Sequence, residues 1–374
     1  MNLSILFDYQ IFFHQEFGGI SRYVIELARN LAAFDNTEVE IYGARHHNAY
    51  LESPIPAVDV VGRRVPKSPA KLGQALGLLG NAASFFMHAS RASPTHIHQT
   101  YFYELIKPIS KATRIVTVYD MTHELFADQF SAPRRTSQAK RRAVNAADHV
   151  ICISESTKRD LVRLFDFPPD KATAIPLGLS GRFVELAASE TRLAPVHARP
   201  YVLYVGQRGG YKNFASFIKA FGSVPRLVRE LDILCFGGGA LNADELNMAA
   251  AAGIDPARLR QLGGDDDLLA SAYQHATFHV YPSLYEGFGF PPLESMALGC
   301  AVACSNTSSM PEVVGDAAVT FDPHSIEDMA RAMSSLADDT ELREQCQQAG
   351  AQRARLFTWK RCAESTRDLY LRTR

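Results

Sequence analysis

One stretch of the chain decides the fold: Tyr281-Pro-Ser-Leu-Tyr-Glu-Gly-Phe-Gly-Phe-Pro-Pro-Leu-Glu-Ser-Met-Ala-Leu-Gly299. The β-branched and aromatic residues at 277–281 predict a short strand, and Pro282 ends it. Pro291 and Pro292 predict the first turn of a helix, where no amide hydrogen bond is lost. The stretch therefore predicts a strand, a glycine-containing loop and a helix in direct succession.

Two carboxylates flank this loop, with Glu286 on the loop and Glu294 in the predicted first helical turn. Gly287 and Gly289 let the backbone approach a ligand closely. The amides of the first turn can hold an anion, and the helix dipole adds roughly 0.3–1 kcal/mol. Glu294 suits a ribose diol and Glu286 suits sugar hydroxyls, so the pattern fits a sugar nucleotide. The alternative is that Glu294 only complements the helix dipole and Glu286 is a solvated loop acid.

Length and composition predict a globular protein with two domains. The chain has 374 residues, of which 47% are hydrophobic and 21% charged, and a net charge of −1. This balance gives no indication of a nucleic-acid partner. The six cysteines form no C-x-x-C pair or metal-ligand spacing, which predicts buried free thiols in a reducing cytoplasm. The N-terminus lacks the basic region of a signal peptide, and no apolar run is long enough to span a membrane.

Short apolar runs alternate with longer helical patterns along the chain. This alternation predicts parallel sheets, with strands at 3–7, 39–42, 114–118, 149–153, 201–205, 232–236 and 278–281. The aperiodic segment 181–200 contains two prolines and predicts the inter-domain connection. We therefore expect an α/β protein with doubly wound domains at 1–185 and 201–356, a linker at 186–200, and a last helix near 357–374 packed on the first domain. Ligands should bind in a deep cleft between the domains. Residues 60–95 carry no clear pattern.

Two more glycine-containing loops join a predicted strand to a predicted helix. Gly18-Gly19 opens a helix whose amides could bind phosphate, and a plain turn is the alternative. The run Val205-Gly-Gln-Arg-Gly-Gly-Tyr-Lys-Asn213 adds two cations, Arg208 and Lys212, which could neutralise a diphosphate leaving group. A basic loop in solvent is the alternative for this run. It is not a G-x-G-x-x-G fingerprint, so no dinucleotide cofactor is predicted.

Three further polar segments offer candidate chemistry. Asp120 and His123 follow a strand end and are candidates for substrate contact or acid–base chemistry, although a histidine there is more often structural. The run Asp265-Asp-Asp267 could hold a divalent ion, but its position favours a helix N-cap and an acidic first turn. The basic stretch 134–142 is either a solvated helix face or a contact for a phosphorylated lipid or an anionic membrane.

Together these segments resemble the retaining glycosyltransferases of family 4, which have the GT-B architecture of two Rossmann-like domains. The run Glu286-Gly-Phe-Gly-Phe-Pro-Pro-Leu-Glu294 matches the E-x7-E motif of the family. Also similar to the family are Val205–Asn213, Ser305-Asn-Thr-Ser-Ser-Met-Pro-Glu-Val313, Gly315-Asp-Ala-Ala318, Gly18-Gly19, Ser154-Glu-Ser-Thr-Lys-Arg-Asp-Leu161 and Ile175-Pro-Leu-Gly178. The resemblance covers nearly the whole chain. It implies an acceptor-binding first domain and a second domain that binds the nucleotide sugar.

The resemblance also implies residue roles. The implied catalytic residues are Glu286, Lys212, Arg208 and Asp120, the donor-binding residues are Gly19, Gly206, Arg208, Lys212, Gly287, Phe288, Gly289, Phe290 and Glu294, and the acceptor-binding residues are Tyr119 and His123. Transfer would retain the anomeric configuration, with the leaving phosphate taking the acceptor's proton. Neither a metal ion nor another cofactor is implied.

Two positions depart from the family pattern. Tyr119-Asp120 stands where the family commonly has His-Asp, so the contact of this pair with the sugar is open. Gln207 directly follows Gly206, at the position where the family often has its loop arginine, and Arg208 comes one position later. Arg208 is therefore shifted by one position from the family pattern, whereas Lys212 keeps the family position.

Within the family, the segments Phe7-Asp8, Gly18-Gly-Ile-Ser-Arg-Tyr23 and Tyr119-Asp-Met-Thr-His-Glu124 resemble bacterial mannosyltransferases of O-antigen and other surface polysaccharides. This implies GDP-mannose as donor and a lipid-linked glycan as acceptor. It also implies a cytoplasmic enzyme with peripheral contact at the inner membrane. A UDP-sugar transferase, using UDP-glucose or UDP-N-acetylglucosamine, and a non-catalytic sugar-nucleotide-binding or glycan-binding protein are the alternatives.

Overall fold

The computed structural model describes residues 2–67, 70–103, 111–189 and 191–374. The chain divides into two compact units. The first consists of Met1–Gly178 and Thr358–Arg374, and the second is Leu179–Phe357. The second unit thus begins ahead of the segment predicted as a linker, and the last helix belongs to the first unit. Elements are numbered below along the whole chain.

The first unit contains a parallel sheet with helices packed on it. Its described strands are β1 Leu3–Phe7, β2 Thr37–His46, β3 Val58–Arg64, β4 His96–Gln99, β5 Thr113–Val118, β6 His149–Cys152 and β7 Ala172–Ala174. Its described helices are α1 Gln10–His14, α2 Gly19–Leu31, α3 Lys71–Ala92, α4 Thr122–Leu125, α5 Pro133–Ala146, α6 Glu155–Phe165 and α16 Trp359–Arg372. The strand order is β3-β2-β1-β4-β5-β6-β7, and each neighbouring pair is parallel.

The second unit repeats this plan. Its described strands are β8 Tyr201–Val205, β9 Asp232–Phe236, β10 Leu259–Leu262, β11 Phe278–Tyr281, β12 Val302–Ser305 and β13 Val319–Phe321. Its described helices are α7 Gly181–Ser189, α8 Phe214–Gly222, α9 Pro225–Glu230, α10 Ala243–Ala251, α11 Asp266–His275, α12 Phe290–Ala297, α13 Met310–Val314, α14 Ile326–Asp338 and α15 Thr340–Ala354. The order is β10-β9-β8-β11-β12-β13, again with parallel neighbours.

The prediction of two doubly wound α/β domains is confirmed, because the strand order reverses in each sheet. The reversal falls between β1 and β4 in the first unit and between β8 and β11 in the second. Loops that leave the carboxyl ends of two such strands run in opposite directions and leave a crevice between them. The loops after β8 and β11 are the ones that carry most of the predicted donor-binding residues.

The segment 181–200, which is aperiodic in sequence, begins with the helix α7. Phe183 and Leu186 are buried one helical turn apart, and α7 packs against α11 and α12. Arg182 also pairs with Asp267, with 2.5 Å between Nε and Oδ1. Two buried residues make too short a repeat to be recognised in the sequence, and tertiary contacts stabilise this helix.

Residues 60–95, for which no pattern was found, contain the end of β3 and the helix α3 over their described positions. The outer face of α3 is apolar, which obscures the usual amphipathic pattern of a surface helix. Among the described residues, no helix has both the length and the hydropathy needed to cross a membrane.

The C-terminal helix α16 packs on α2 within the first unit. Its Tyr370 is fully buried, and the hydroxyl lies 2.6 Å from Nδ1 of His98 in β4. Nε2 of His98 lies 2.8 Å from the hydroxyl of Thr117 in β5. The last helix is thus joined to the central strands by buried polar contacts as well as by apolar packing.

Candidate active site

The loops after β8 and β11 are joined by their backbones and by one asparagine. The amide of Leu284 donates to the carbonyl of Tyr211 at 2.8 Å. The side-chain amide of Asn213 donates to the carbonyls of Pro282, at 3.0 Å, and Pro323, at 2.8 Å. Asn213 also has a positive φ of 59°, a conformation that asparagine tolerates better than most residues. The sequence analysis assigned Asn213 no role, although it ends the Lys-Asn pair of the motif.

Lys212 and Glu286 form an ion pair between these two loops. Nζ of Lys212 lies 2.6 Å from Oε1 of Glu286, and 17% and 13% of the two side chains remain exposed. The pair is therefore accessible to a ligand. Nζ also lies 5.7 Å from the ring centre of Tyr281. Burial and the neighbouring Glu286 carboxylate raise the pKa of the Tyr281 hydroxyl well above its usual value, so this hydroxyl stays protonated and hydrogen-bonds to Glu286.

Three consecutive hydroxyl side chains hold the loop that carries Glu286. Thr307 donates to the carbonyl of Leu284 at 3.0 Å, and Ser308 accepts from the amide of Glu286 at 3.0 Å. Ser309 donates to the carbonyls of Glu286, at 2.9 Å, and Phe288, at 2.5 Å. The run Ser305–Val313 contributed to the family resemblance without an assigned role, and the structure gives these hydroxyls a positioning role.

Gly289 and the two prolines determine how α12 begins. Gly289 has φ 125°, and a Cβ there would collide with the side chain of Met310. Phe290 is the first helical residue, and Pro291 and Pro292 have no amide hydrogen. The expectation of several anion-binding amides in the first turn is therefore corrected. Within that turn Phe290 and Leu293 carry amide hydrogens, and Leu293 donates to the carbonyl of Gly289 at 3.3 Å, so donors beyond Phe290 must come from the loop before it.

Glu294 lies deeper in α12 than was expected. It is the fifth helical residue and therefore stands in the second turn. Only 8% of the residue is exposed, and the hydroxyl of Tyr273 donates to its Oε2 at 3.2 Å. Burial and the Glu294 carboxylate raise the pKa of Tyr273 well above its usual value. The carboxylate is thus fixed in orientation by a protonated tyrosine.

Arg208 is held by a carboxylate and by backbone carbonyls of the same unit. The residue is 8% exposed, and its Nε donates to Oε1 of Glu245 at 2.8 Å. Its terminal nitrogens donate to the four consecutive carbonyls of residues 237–240. Gly238, which has a positive φ, allows this close approach, since a Cβ there would lie 2.7 Å from the guanidinium. The geometry favours a positioning role for Arg208 between the loops after β8 and β9.

In the first unit, Gly19 is the first residue of α2 and is exposed. A Cβ on Gly19 would meet no atom within 4 Å, whereas one on Gly18 would collide with the side chain of Gln15. Oε1 of Gln15 also accepts from the amide of Ser21 at 3.2 Å. The start of this 13-residue helix is thus open at Gly19, as the predicted approach of a phosphate requires.

The segment after β5 is mostly engaged inside the first unit. Tyr119 is 8% exposed, and its hydroxyl donates to the carbonyl of Thr100 at 3.2 Å. The carboxylate of Asp120 accepts from the amide of Thr122 at 3.0 Å. His123 packs on Phe130 with ring centres 4.3 Å apart, and burial lowers its pKa. Tyr119 therefore has a core environment, whereas Asp120 and His123 are partly exposed.

The basic stretch 134–142 is not uniformly solvated. Lys140 is 1% exposed, and its Nζ lies 2.7 Å from Oε2 of Glu124 and 2.8 Å from the carbonyl of Asp120. This lysine therefore ties α5 to α4 and is unavailable to a ligand. Arg135 and Arg142 are exposed and line a cavity of about 460 Å³, together with His14, Tyr101, Phe102, Tyr103, Thr136 and Ala139.

A buried acid that the sequence analysis did not assign supports the wall of this cavity. Asp8 follows β1, is fully buried, and accepts from the amide and the hydroxyl of Thr100, at 3.0 and 2.5 Å. It also accepts from the side-chain amide of Gln10 at 2.8 Å, and Oε1 of Gln10 accepts from the amide of Tyr103 at 2.7 Å. Burial raises the pKa of Asp8 to about 6. The sequence signal was an acid directly after the first strand.

Two family models match this chain in succession. The model described as Glycosyltransferase Family 4 matches residues 17–180, and the one described as Glycosyl transferases group 1 matches residues 189–353. The chain belongs to the family-4 glycosyltransferases. The predicted resemblance is therefore confirmed.

Similar proteins include enzymes whose names state different activities. This glycosyltransferase is 28% identical to the Escherichia coli O-antigen chain mannosyltransferase B over 94% of this chain and 95% of the relative. Sucrose-phosphate synthase from Thermosynechococcus elongatus superimposes with a TM-score of 0.75 at 19% identity, covering 100% and 99% of the two chains. Anabaena Alr3699/HepE, solved with UDP and glucose, gives 0.71 at 15% identity, covering 98% and 99%. The predicted GT-B fold is confirmed.

The aspartate run of this glycosyltransferase is used for helix capping and ion pairing. Asp265 caps α11 by accepting from the amide of Leu268 at 3.0 Å, as expected. Asp267 pairs with Arg182. Over the described ranges, no three His, Cys, Asp or Glu side chains are grouped so that they could hold a metal ion.

The roles of Arg208 and Lys212 in this glycosyltransferase can be distinguished by comparing the stability and the nucleotide affinity of the two alanine variants. Arg208→Ala breaks a buried ion pair, which typically costs about 3–5 kcal/mol, so the melting temperature of the ligand-free protein should fall by several degrees. Lys212→Ala removes a more accessible pair and should cost about 1 kcal/mol or less. It should instead weaken binding of a nucleoside diphosphate by roughly tenfold. Differential scanning calorimetry and isothermal titration measure the two effects.

The control is Arg229→Ala, because Arg229 is an exposed arginine of the same unit and pairs with Glu230 on the surface. It should change neither quantity. If Arg208→Ala left the melting temperature unchanged while abolishing nucleotide binding, the positioning role of Arg208 would be wrong.

Proposed function

We propose that this glycosyltransferase transfers mannose from GDP-mannose to a lipid-linked glycan during assembly of a bacterial surface polysaccharide such as O-antigen. The observation that carries the proposal is the similarity to O-antigen chain mannosyltransferase B, which extends over 94% of this chain. The acceptor would be reached at the cytoplasmic face of the inner membrane. A UDP-sugar donor is the alternative, because a solved structure of the same fold holds UDP and glucose.

The Lys212–Glu286 pair supports the donor part of the proposal. In the ligand-free protein the ammonium group neutralises the carboxylate at 2.6 Å. When the donor binds, Lys212 would turn to the diphosphate and Glu286 would accept from hydroxyls of the transferred sugar. Each charge would then exchange one partner for another, so neither would be left unpaired. The hydroxyls of residues 307–309 hold the Glu286 loop in place for this exchange.

Other donor contacts follow from the loop geometry. Phe288, Gly289 and Phe290 would present backbone groups to the sugar or the diphosphate, and Gly206 and Gly287 would let these loops approach it. Glu294, held by Tyr273 at 3.2 Å, would bind the ribose diol. Gly19, at the open start of α2, would contribute amides to the diphosphate.

The transfer step would retain the anomeric configuration. The bond between the anomeric carbon and the diphosphate oxygen breaks, and the acceptor oxygen bonds to the same face of the sugar. The proton of the acceptor hydroxyl passes to the departing phosphate, so the protein need not supply a general base. The developing negative charge would be stabilised by Lys212 and by loop amides, which would already contact the diphosphate in the donor complex, before the bond breaks.

Nucleotide titration tests the donor assignment. We expect the protein to bind GDP at least about tenfold more tightly than UDP or ADP, as measured by isothermal titration calorimetry. Glu286→Ala should leave GDP affinity nearly unchanged and abolish mannose transfer, because Glu286 would contact the sugar only. Glu344→Ala, an exposed acid of the same unit, serves as the control and should be fully active.

The outcomes bear on different parts of the proposal. Preferential binding of UDP would replace GDP-mannose by a UDP-sugar and leave the glycosyltransferase assignment standing. Unchanged turnover in Glu286→Ala would contradict the role of Glu286. Absence of transfer with every donor, despite nucleotide binding, would favour a non-catalytic protein.

We also propose that transfer requires no divalent ion. The proposal rests on Lys212, a cation positioned to neutralise a diphosphate, and on the aspartates at 265 and 267, which serve in capping and ion pairing. Activity in excess chelator should equal activity in added Mg²⁺ or Mn²⁺. A strict dependence on either ion, restored by titrating it back, would contradict this proposal.

The acceptor is proposed to meet the cavity beside α5. Arg135 and Arg142 suit the diphosphate of a lipid-linked glycan, and the rings of His14, Tyr101 and Tyr103 suit sugar faces. His14 stacks on Tyr103 with ring centres 4.7 Å apart, and the Asp8–Gln10 hydrogen bonds support this wall. Tyr119 and His123, the acceptor residues implied by the resemblance, do not line this cavity.

Substitution of Arg135 tests the acceptor site. Arg135→Ala should raise KM for a lipid-diphosphate acceptor by roughly tenfold, because one charged contact to phosphate is lost, and leave GDP affinity unchanged. Arg163→Ala, which alters an exposed arginine of α6 in the same unit, is the control and should leave KM unchanged. Equal KM values for Arg135→Ala and the unmodified enzyme would place the acceptor elsewhere.

A further inference from the structure

The outer face of α3 is apolar from Leu72 to Met87. The large exposed side chains on this face are Leu72, Leu76, Leu79, Phe86 and Met87, with exposures of 71%, 61%, 65%, 38% and 55%. They recur at the spacing of one helical face, and Ala83, which lies between Leu79 and Phe86 on that face, is small and exposed. We call this surface the α3 stripe. Monomeric soluble proteins rarely expose a continuous apolar surface of this kind without a partner.

The core of the first unit does not account for the α3 stripe. The opposite face of α3 supplies the core contacts, with Phe85 and Ala89 buried against Tyr42. On that face, Asn81 binds both the amide and the carbonyl of Arg45, at 3.2 and 2.9 Å. The helix is therefore anchored by its inner face, and the leucines of the stripe contribute nothing to that packing.

The charges around α3 indicate an anionic partner. No aspartate or glutamate occurs between residues 71 and 92. Arg45, which contacts Asn81 at mid-helix, is exposed and pairs in register with the exposed Arg63 of β3. Arg91 is exposed in the last turn of α3. The acid of β2 closest to the helix, Glu40, is engaged by His88, with 2.5 Å between Nε2 and Oε1.

We propose that the α3 stripe inserts into the interface of an anionic membrane, with α3 parallel to the surface and its flanking arginines against the lipid head groups. An apolar helix face with basic side chains beside it is the pattern of helices that lie in this interface. Arg45 and Arg63 gain from the negative surface potential of such a leaflet. The helix lies on the membrane and does not cross it, in agreement with the absence of a crossing helix among the described residues.

A second copy of the chain fits this surface less well. A two-fold contact places the same patch on both sides of the interface. The basic flank at Arg45 and Arg63 would then face its own copy, which is repulsive. The stripe is also only one helix face wide, whereas a stable dimer buries about 800 Å² on each partner.

This inference is independent of the donor and the acceptor, because vesicle binding is measured without either. It assigns membrane contact to α3, whereas the acceptor diphosphate is assigned to Arg135 and Arg142 of α5. Failure of the vesicle experiment would therefore leave the proposed transfer reaction untouched.

Vesicle co-sedimentation tests the proposal with a matched pair of double variants. The unmodified protein should bind vesicles of phosphatidylethanolamine with one third phosphatidylglycerol, and Leu76→Glu/Leu79→Glu should bind roughly tenfold less strongly. The control is Val184→Glu/Leu356→Glu, which changes two exposed apolar residues of the second unit and should bind normally. Arg45→Gln/Arg63→Gln should weaken binding to the anionic vesicles only. Equal melting temperatures verify that each variant is folded.

Two results would overturn the proposal. One is equal vesicle binding by the unmodified protein and Leu76→Glu/Leu79→Glu. The other is a dimer of the unmodified protein, seen by analytical ultracentrifugation without lipid, which that double variant dissociates, because the α3 stripe would then be an interface between two copies.

Discussion

The ion pair between Lys212 and Glu286 lies at the point where the strand order of the second sheet reverses. Its two residues come from loops that leave β8 and β11, neighbouring strands whose connections run in opposite directions. Such a reversal opens a crevice at the carboxyl ends of the strands. Opposite charges placed at its two sides, 2.6 Å apart and still partly exposed, form a site that can receive a ligand with both an anionic group and hydroxyl groups.

Polar contacts within the protein hold both reversal points. In the second unit, Asn213 and the hydroxyls of residues 307–309 bind the loop carbonyls and one loop amide. In the first unit, the buried carboxylate of Asp8 joins the end of β1 to Thr100 after β4. Buried polar groups are costly unless they are paired, so these contacts specify one loop arrangement. The two units therefore use different residues to fix the loops at the point where the strand order reverses.

Local patterns predicted the parts of the structure that depend on local physics. Apolar runs located seven of the thirteen described strands, β1, β2, β5, β6, β8, β9 and β11, and the glycines and prolines at 287–292 located the start of α12. Lys212 and Glu286 could be predicted as site residues because a charged side chain occurs in a loop that follows a predicted strand. Arg208 and Lys140 could not be placed in this way. The sequence suggested exposed cations, but each is held by a partner distant in sequence, Glu245 and Glu124 respectively. No local pattern reports such partners, and the same limit hid α7 and the support given by residues 307–309.

A structure of the protein crystallised with GDP-mannose tests the central claim most directly. The account predicts that the diphosphate lies beside Lys212 and the loop ending at Phe290, that the mannose hydroxyls contact Glu286, and that the ribose contacts Glu294. Lys212 should have left the position 2.6 Å from Glu286 that it holds in the free protein. A donor bound away from the loops after β8 and β11, with the Lys212–Glu286 pair intact, would contradict the account.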